Sequence, residues 1–172
     1  NLGIRYGYIE QLDDELLRIS KESFDALSFN CYALSPDHEK MNHALEISGL
    51  PMIIGEYHFG TVDRGLAQSL WQVNSQKERG DAFPYYTENA FAHRGLIGTG
   101  WFRWIDQNIN GRTDGENYNC GFIDVTDRPY PYMVDAAIET AKSLYEIHSG
   151  TKTPFHQAPN AVGHSPIPNL WE

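Results

Sequence analysis

The chain has 172 residues, with 13 Lys and Arg against 23 Asp and Glu, so its formal net charge is −10. This acidity disfavours nucleic acid or an anionic membrane as a partner, because both repel negative charge. A hydrophobic share of 41%, with 10 Tyr, 8 Phe and 4 Trp, excludes a disordered chain and suits one domain with a sizeable core. No apolar run is long enough to predict a membrane-spanning segment.

Short apolar runs alternate with amphipathic stretches along the chain. In chain order we predict a strand at 2–6, a helix at 13–22, a strand at 25–30, a helix at 35–48, a strand at 51–56, a long helical region at 65–93, a strand at 96–105, a loop at 106–119, a short strand at 121–125 and a helix at 131–148. Ser35 and Pro36 favour a helix start, while Gly49 and Gly150 favour helix ends. Pro84 should kink or split the long helical region.

Four strand–helix units in succession predict an α/β fold with a parallel sheet and right-handed crossovers. Either an open doubly wound sheet or part of a (β/α)₈ barrel fits this order. A complete barrel needs at least about 200 residues, so this chain would hold only part of one. We expect residues 1–150 to form this unit and residues 151–172, with four of the nine prolines, to form an extended tail or linker. The chain starts without Met and reaches a strand-like run at once, so we interpret it as a piece of a longer protein.

In both architectures the ligand site lies at the carboxyl ends of the strands. Glu56 closes an otherwise apolar strand. A carboxylate there is either paired or functional, because burying it unpaired is costly. We therefore consider Glu56 as a catalytic residue, with a structural ion pair to Arg5 or Arg103 as the alternative.

Amide, hydroxyl, imidazole and aromatic side chains stand at the same strand ends. They are Asn30, Tyr32, Tyr57, His58, Trp101, Asp106 and Gln107. Hydrogen-bonding groups beside aromatic faces suit a sugar, whose C–H faces pack on rings while its hydroxyls need donors and acceptors. The alternatives are that Trp101 belongs to the core and that His58 is a hydrogen-bonded structural histidine.

The loop at 106–117 begins like a calcium-binding loop. Its twelfth position is Asn117, however, and the glutamate of the loop, Glu116, comes one place early. A strand also precedes the loop where a calcium site has a helix. We therefore predict no metal and no cofactor, and a loop that contacts substrate.

Several runs are similar to those of one enzyme family. They are Gly-Glu-Tyr-His-Phe-Gly at 55–60, Gln-Lys-Glu-Arg-Gly at 76–80, Gly-Thr-Gly-Trp-Phe at 98–102, Asp-Gln at 106–107 and Gly-Arg-Thr-Asp-Gly-Glu-Asn at 111–117. Together they resemble the agarases of glycoside hydrolase family fifty, collinearly from residue 2 to 148. The chain departs from the family pattern at Gly100 and Arg103, where a His and a Gln are expected.

The resemblance implies a (β/α)₈ barrel of the large retaining clan, with the four strands as the fifth to eighth of the barrel. Glu56 then matches the nucleophile and Trp101 the floor of the sugar subsite, while Asn30 and Tyr32 lie beside the nucleophile. Tyr57 and His58 are placed to hydrogen-bond or orient the nucleophile. His58, Asp106 and Gln107 join the substrate site, and Arg112, Glu116 and Asn117 form the loop side of the cleft. The substrate implied is an agar-type polysaccharide, and a secreted or periplasmic location is expected.

The acid/base glutamate of the clan closes the fourth strand, which would belong to a missing N-terminal half. We therefore expect this chain alone to be inactive. A related clan member acting on other β-galactosides or β-glucosides, and a non-catalytic carbohydrate-binding domain, remain as alternatives. A flavodoxin-like domain with a phosphorylated ligand would need a Gly- or Ser-rich turn, and none follows the first three strands.

Overall fold

The computed structural model describes residues 3–67 and 69–164, the last three of them by their backbone alone. The helices and strands follow the chain as β1 (Arg5–Tyr6), α1 (Asp14–Ser23), β2 (Leu27–Asn30), α2 (His38–Ser48), β3 (Met52–Tyr57), β4 (Trp71–Val73), α3 (Gln76–Phe91), β5 (Leu96–Trp101), α4 (Pro131–His148) and β6 (Ala161–His164). A 3-10 turn, Ile9–Gln11, lies between β1 and α1.

Four strands form one parallel sheet in the order β1-β2-β3-β5. The parallel α/β fold predicted from the alternation of strands and helices is therefore confirmed. Strands that are neighbours in the sheet follow one another along the chain, apart from β4. This order brings the carboxyl ends of all four strands to one edge.

Helices cover one face of this sheet. Side chains of α1, α2 and α3 pack there against strand residues; the fully buried members include Leu17, Leu27, Phe29, Met52, Ile54, Tyr86 and Leu96. Alternate residues of a strand face opposite sides, and those on the other face of β2 and β3, Ser28, Ile53 and Gly55, are only partly buried. Ile97 of β5 is 54% exposed and lines a cavity with Phe91 of α3 and Leu144 of α4.

Side-chain caps begin three of the helices. Asp13, Asp37 and Ser75 each accept a hydrogen bond from a backbone N–H of the first turn. The second helix consequently starts at His38, after the Ser-Pro pair expected to open it. The helix predicted at 131–148 is confirmed, and Pro131 is its first residue.

The prediction of one helical region over 65–93 is wrong in its first part. Backbone hydrogen bonds join Gly60 N to Trp71 O and Val73 N to Gly60 O. Residues 71–73 therefore form the strand β4 and are not helical. The helix then starts at Gln76 and continues through Pro84 as a single element. Residues 121–125 form only isolated bridges at Ile123, so the short extra strand predicted there is also wrong.

The end of the described chain lies against α3. Phe155 N donates to the Glu88 carboxylate at 2.8 Å, Asn160 Nδ2 donates to Glu78 at 3.2 Å, and β6 pairs antiparallel with β4. The rest of the tail expected over 151–172, from residue 165 onward, lies outside the described residues. None of the described helices has the length and apolar character needed to cross a membrane.

Candidate functional site

The Glu56 carboxylate occupies the centre of the strand-end edge. Its Oε2 accepts hydrogen bonds from Asn30 Nδ2 at 3.1 Å and from Tyr32 Oη at 2.8 Å. Its Oε1 lies 2.8 Å from Nη1 of Arg5, the ion-pair partner considered from the sequence. The Glu56 side chain is 18% exposed, so it is held by protein groups on both oxygens and still reaches solvent.

Neighbouring strands supply these donors. Asn30 is the last residue of β2 and is paired in register with Glu56, while Arg5 belongs to β1. Burial, and then the negative charge of Glu56, raise the pKa of Tyr32. Tyr32 therefore remains protonated and can donate its hydrogen bond at any ordinary pH.

His58 does not contact Glu56, contrary to the interpretation that it orients this carboxylate. Its Nδ1 bonds Phe102 O at 3.0 Å, and its Nε2 accepts from Leu70 N at 3.1 Å. Burial is the main cause that lowers the pKa of His58 to about 3, so the ring is neutral. Neutral His58 ties the segment after β3 to the end of β5, as in the structural alternative, and its ring edge meets Tyr32.

Tyr57 points away from the carboxylate, because consecutive residues of a strand face opposite sides of the sheet. Its hydroxyl pairs with Thr87 on α3, and its ring stacks on Tyr86 with a centroid separation of 4.0 Å. The expectation that Tyr57 orients Glu56 is therefore wrong.

Trp101 closes β5 and is partly buried. Its Nε1 donates to Cys120 O at 2.7 Å, and its ring lies edge-on to Tyr57 at 5.2 Å. Phe83 and Phe122 also contact the ring. These contacts fix the orientation of the indole beside Tyr57 and α3, and the residue remains partly exposed.

Asp106 is only 4% exposed, which contradicts its assignment as a substrate contact. Its carboxylate accepts from Asn119 Nδ2, from Gly121 N at 2.7 Å and from Tyr130 Oη at 2.6 Å. Gln107 is likewise fully buried: its Oε1 accepts from Tyr118 N and its Nε2 donates to Glu116, both at 2.7 Å. Both side chains serve the conformation of the loop in the structure.

Arg79 forms the other half of this buried network; the run at 76–80 contains it, but no role was expected for it from the sequence. The guanidinium donates to the backbone oxygens of Phe59 at 3.0 Å and Gly121 at 2.7 Å. It also donates to the side chain of Gln76 at 2.8 Å and lies over the Tyr130 ring. The segments after β3 and β5 are therefore joined beneath the site. A basic residue in a predicted amphipathic helix is expected on the exposed face, so the sequence did not indicate that Arg79 is buried.

The loop at 106–119 brings three predicted residues to the rim of the edge. Glu116 is partly buried, accepts from Gln107 and lies 3.3 Å from Arg112 Nη1. Arg112 is exposed and pairs with Asp114 at 2.5 Å. Asn117 accepts from Ala67 N at 3.1 Å, so its carbonyl group holds the preceding loop.

Tyr8 is a further residue of this edge that the sequence analysis did not select. Burial first, and then the charges of Glu116 and Glu56, raise the pKa of Tyr8. Tyr8 follows β1, and the rule that sites gather at strand ends could have identified it. Its distance of two residues from a very short strand concealed that signal.

The described residues contain no group of three or more His, Cys, Asp or Glu side chains arranged to hold a metal ion. In the loop that begins like a calcium site, Asp106 is already bonded to three protein donor groups, and the side chain of Asn108 bonds the backbone of Asn110. The arrangement at Glu56 instead suits binding and attack on a neutral polar molecule, because one carboxylate is held by fixed donors beside amide, hydroxyl and aromatic groups.

Comparison with known proteins agrees with the motifs. No family model matches the chain. The chain is 39% identical to β-agarase A of Vibrio sp. (strain JT0107) over 128 residues, which are 70% of this chain and 13% of that protein. It is 36% identical to a solved exo-β-agarase, with a TM-score of 0.73 over 78% of this chain and 18% of that one. A solved agarase named AgWH50C is 37% identical, with a TM-score of 0.75 over 80% of this chain and 21% of that one.

The chain therefore spans only about a fifth or less of each of these three relatives. Identity at this level, carried through both sequence and structure, establishes homology to one segment of these proteins. The chain is thus a homologue of the β-agarases, which supports the family that its motifs indicated.

Proposed function

We propose that the chain is the C-terminal part of the catalytic barrel of a retaining β-agarase-type glycoside hydrolase, with Glu56 as its nucleophile. The observation that carries this proposal is the Glu56 carboxylate, which three side chains hold at the strand-end edge while it stays open to solvent. The β-agarase homologues make an agar-type β-galactoside the substrate of choice.

The sheet supports assignment of its strands as the fifth to eighth of a barrel. Its strand order follows the chain, and β1 and β5 each have one sheet neighbour among the described residues. A doubly wound sheet changes direction at a switch point and has helices on both faces. Here α1, α2 and α3 pack on one face, while Ser28, Ile53 and Gly55 on the other face are only partly buried. Both features suit an arc of a barrel whose remaining strands lie upstream.

In a double-displacement mechanism, two carboxyl groups take part in the reaction. Ionised Glu56 attacks the anomeric carbon while a glutamic acid outside the described chain protonates the departing glycosidic oxygen. Water then hydrolyses the glycosyl ester, and the second glutamate accepts its proton. Asn30 and Tyr32 hold Oε2 and disperse its charge, so that the carboxylate is oriented before substrate binds.

The other proposed contacts surround this centre. Trp101 offers a fixed aromatic face for the C–H face of a sugar ring, since its indole N–H is already bonded to Cys120. Arg112, Glu116 and Asn117 would line the loop side of the cleft. His58, Asp106 and Gln107 support the site from beneath, because their polar atoms are occupied by protein partners.

The test is Glu56→Gln in the complete enzyme. Glutamine has a similar volume and can retain some of the hydrogen bonds, so the melting temperature should change little. Hydrolysis of agaro-oligosaccharides should fall by about a thousandfold or more, because an amide cannot act as the nucleophile. Binding of the oligosaccharide should persist in calorimetry. A variant that keeps near-parental turnover would refute the assignment and favour a binding domain.

A further inference from the structure

We infer that Arg5 is a positioning residue for the Glu56 carboxylate and that Gly55 provides the space through which the Arg5 side chain reaches it. The inference rests on the proposed role of Glu56 as nucleophile. It adds a residue on β1 and one on β3 whose only contribution to the reaction would be the orientation of that carboxylate.

The Arg5 side chain crosses a whole strand to make this contact. Arg5 lies on β1 opposite Ser28 of β2, and Glu56 lies one strand further on β3. Neighbouring strands are about 5 Å apart, so the side chain must span roughly 10 Å between β1 and β3. A long side chain is therefore needed, and the small Ser28 and Gly55 lie along its path.

Gly55 has no backbone reason to be glycine. It is not among the glycines with positive φ, and it lies within the regular strand β3. A Cβ atom at this position would overlap Cδ of Arg5 and lie 3.2 Å from both Cγ of Arg5 and Oγ of Ser28. The absence of a side chain at position 55 therefore serves the passage of Arg5.

The ion pair between Arg5 and Glu56 restricts a rotation of the carboxylate that Asn30 and Tyr32 permit. Asn30 and Tyr32 both bond Oε2 of Glu56, so they hold one oxygen of the carboxylate. The terminal torsion of a glutamate side chain is soft, and the second oxygen can swing around the first. Nη1 of Arg5 at 2.8 Å from Oε1 fixes that second oxygen and hence the plane of the carboxylate.

The exposure of Arg5 separates positioning from a structural role. Its side chain is 51% exposed, and ion pairs at such sites contribute little to folding stability. Substitution of Arg5 should therefore leave the melting temperature nearly unchanged. A misplaced nucleophile, in contrast, slows the chemical step strongly even when substrate still binds.

The first test compares Arg5→Met, Arg5→Lys and the control Arg18→Met in the complete enzyme. Arg18 forms an exposed ion pair with Asp14 on α1, so its substitution makes the same change of charge away from the site. Arg5→Met should lower kcat about 10- to 100-fold with less than about a threefold change in KM. Arg5→Lys should recover part of this loss, and Arg18→Met should match the parent. Parental kcat in Arg5→Met, or a loss accompanied by an equal fall in melting temperature in both Arg5 variants, would overturn the inference.

The second test is a double-mutant cycle with Gly55→Ala. If Gly55 acts by leaving room for Arg5, Gly55→Ala alone should lower kcat as Arg5→Met does. Gly55→Ala should then cost nothing further in the Arg5→Met background. Losses that multiply in the double variant, or full activity in Gly55→Ala, would contradict the shared role.

Glu56→Gln, measured in parallel, separates this inference from the proposed function. An inactive Glu56→Gln with a fully active Arg5→Met would overturn the positioning role alone. An active Glu56→Gln would remove the nucleophile assignment, and the positioning role with it.

Discussion

Two carboxylates near the same edge of the sheet have opposite surroundings. Glu56 is 18% exposed on its side chain and is held by Asn30, Tyr32 and Arg5 from the neighbouring strands. Asp106 is 4% exposed and accepts from Asn119, Gly121 and Tyr130 inside the loop network. Both carboxylates have their charge compensated by donors, so the presence of partners does not distinguish a functional carboxylate from a structural one.

Solvent access and the position of the donor groups in the fold distinguish the Glu56 carboxylate from that of Asp106. The donors to Glu56 lie on β1, on β2 and directly after β2, which leaves the carboxylate facing the space beyond the strand ends. Those of Asp106 come from the chain that covers it, so no face remains for a ligand. Three experiments can break or sharpen this comparison.

The largest effect is expected for Glu56→Ala in the complete enzyme. Activity should fall by about a thousandfold or more, because the nucleophile is removed. Added azide or formate should restore part of the turnover and give a product of inverted configuration, since a small anion would attack from the vacated position. The measurement is product analysis by NMR with and without azide.

The matched control for azide rescue is Asp106→Asn, in which no nucleophile is removed. Azide should not increase its activity. Rescue at Asp106 and not at Glu56 would reverse the assignment of the two carboxylates.

A loss of stability is expected for Asp106→Ala. The donors of Asn119, Gly121 and Tyr130 would lose their common acceptor in a buried site, and each buried donor left unpaired costs about 1–3 kcal/mol. We expect the free energy of unfolding to fall by about 3 kcal/mol or more, as measured by denaturant titration.

Asp114→Ala provides the comparison for that loss. Asp114 pairs with Arg112 at the exposed rim of the same loop, and its removal should cost less than about 1 kcal/mol. Equal losses in the two variants would show that burial is not what separates the Asp106 network from the rim.

The third experiment measures a pH dependence of stability caused by His58. Burial lowers its folded-state pKa to about 3, while a histidine in the unfolded chain titrates near about 6.5. Between these values the unfolded state binds more protons, so His58 should stabilise the fold fully above about pH 6.5 and progressively less as the pH falls. His58→Gln should flatten that part of the stability curve in thermal unfolding from pH 4 to 7, whatever its effect at neutral pH. A parental curve that does not depend on pH across this window would contradict a buried, neutral His58.

The order of the four parallel strands and of the four helices, and the position of Glu56 at a strand end, followed from the sequence alone, whereas β4 and β6 did not. Apolar runs separated by amphipathic stretches predicted the parallel sheet, and a charge at the end of such a run identified Glu56. These signals are local, because an apolar strand and the alternation of strands and helices can both be recognised from consecutive residues. The motifs at 55–60 and 111–117 added the relationship to the agarases, with which the homologues agree.

Only the tertiary structure decided which polar residues share the site with Glu56. Asp106, Gln107 and His58 are of types that bind sugars, and they follow strands, yet protein partners distant in the sequence occupy their polar atoms. Arg5 contacts a carboxylate 51 positions away, across an intervening strand. The physical reason is that hydrogen bonding and burial depend on which segments meet in space, whereas the identity of a residue defines only the bonds that it can make.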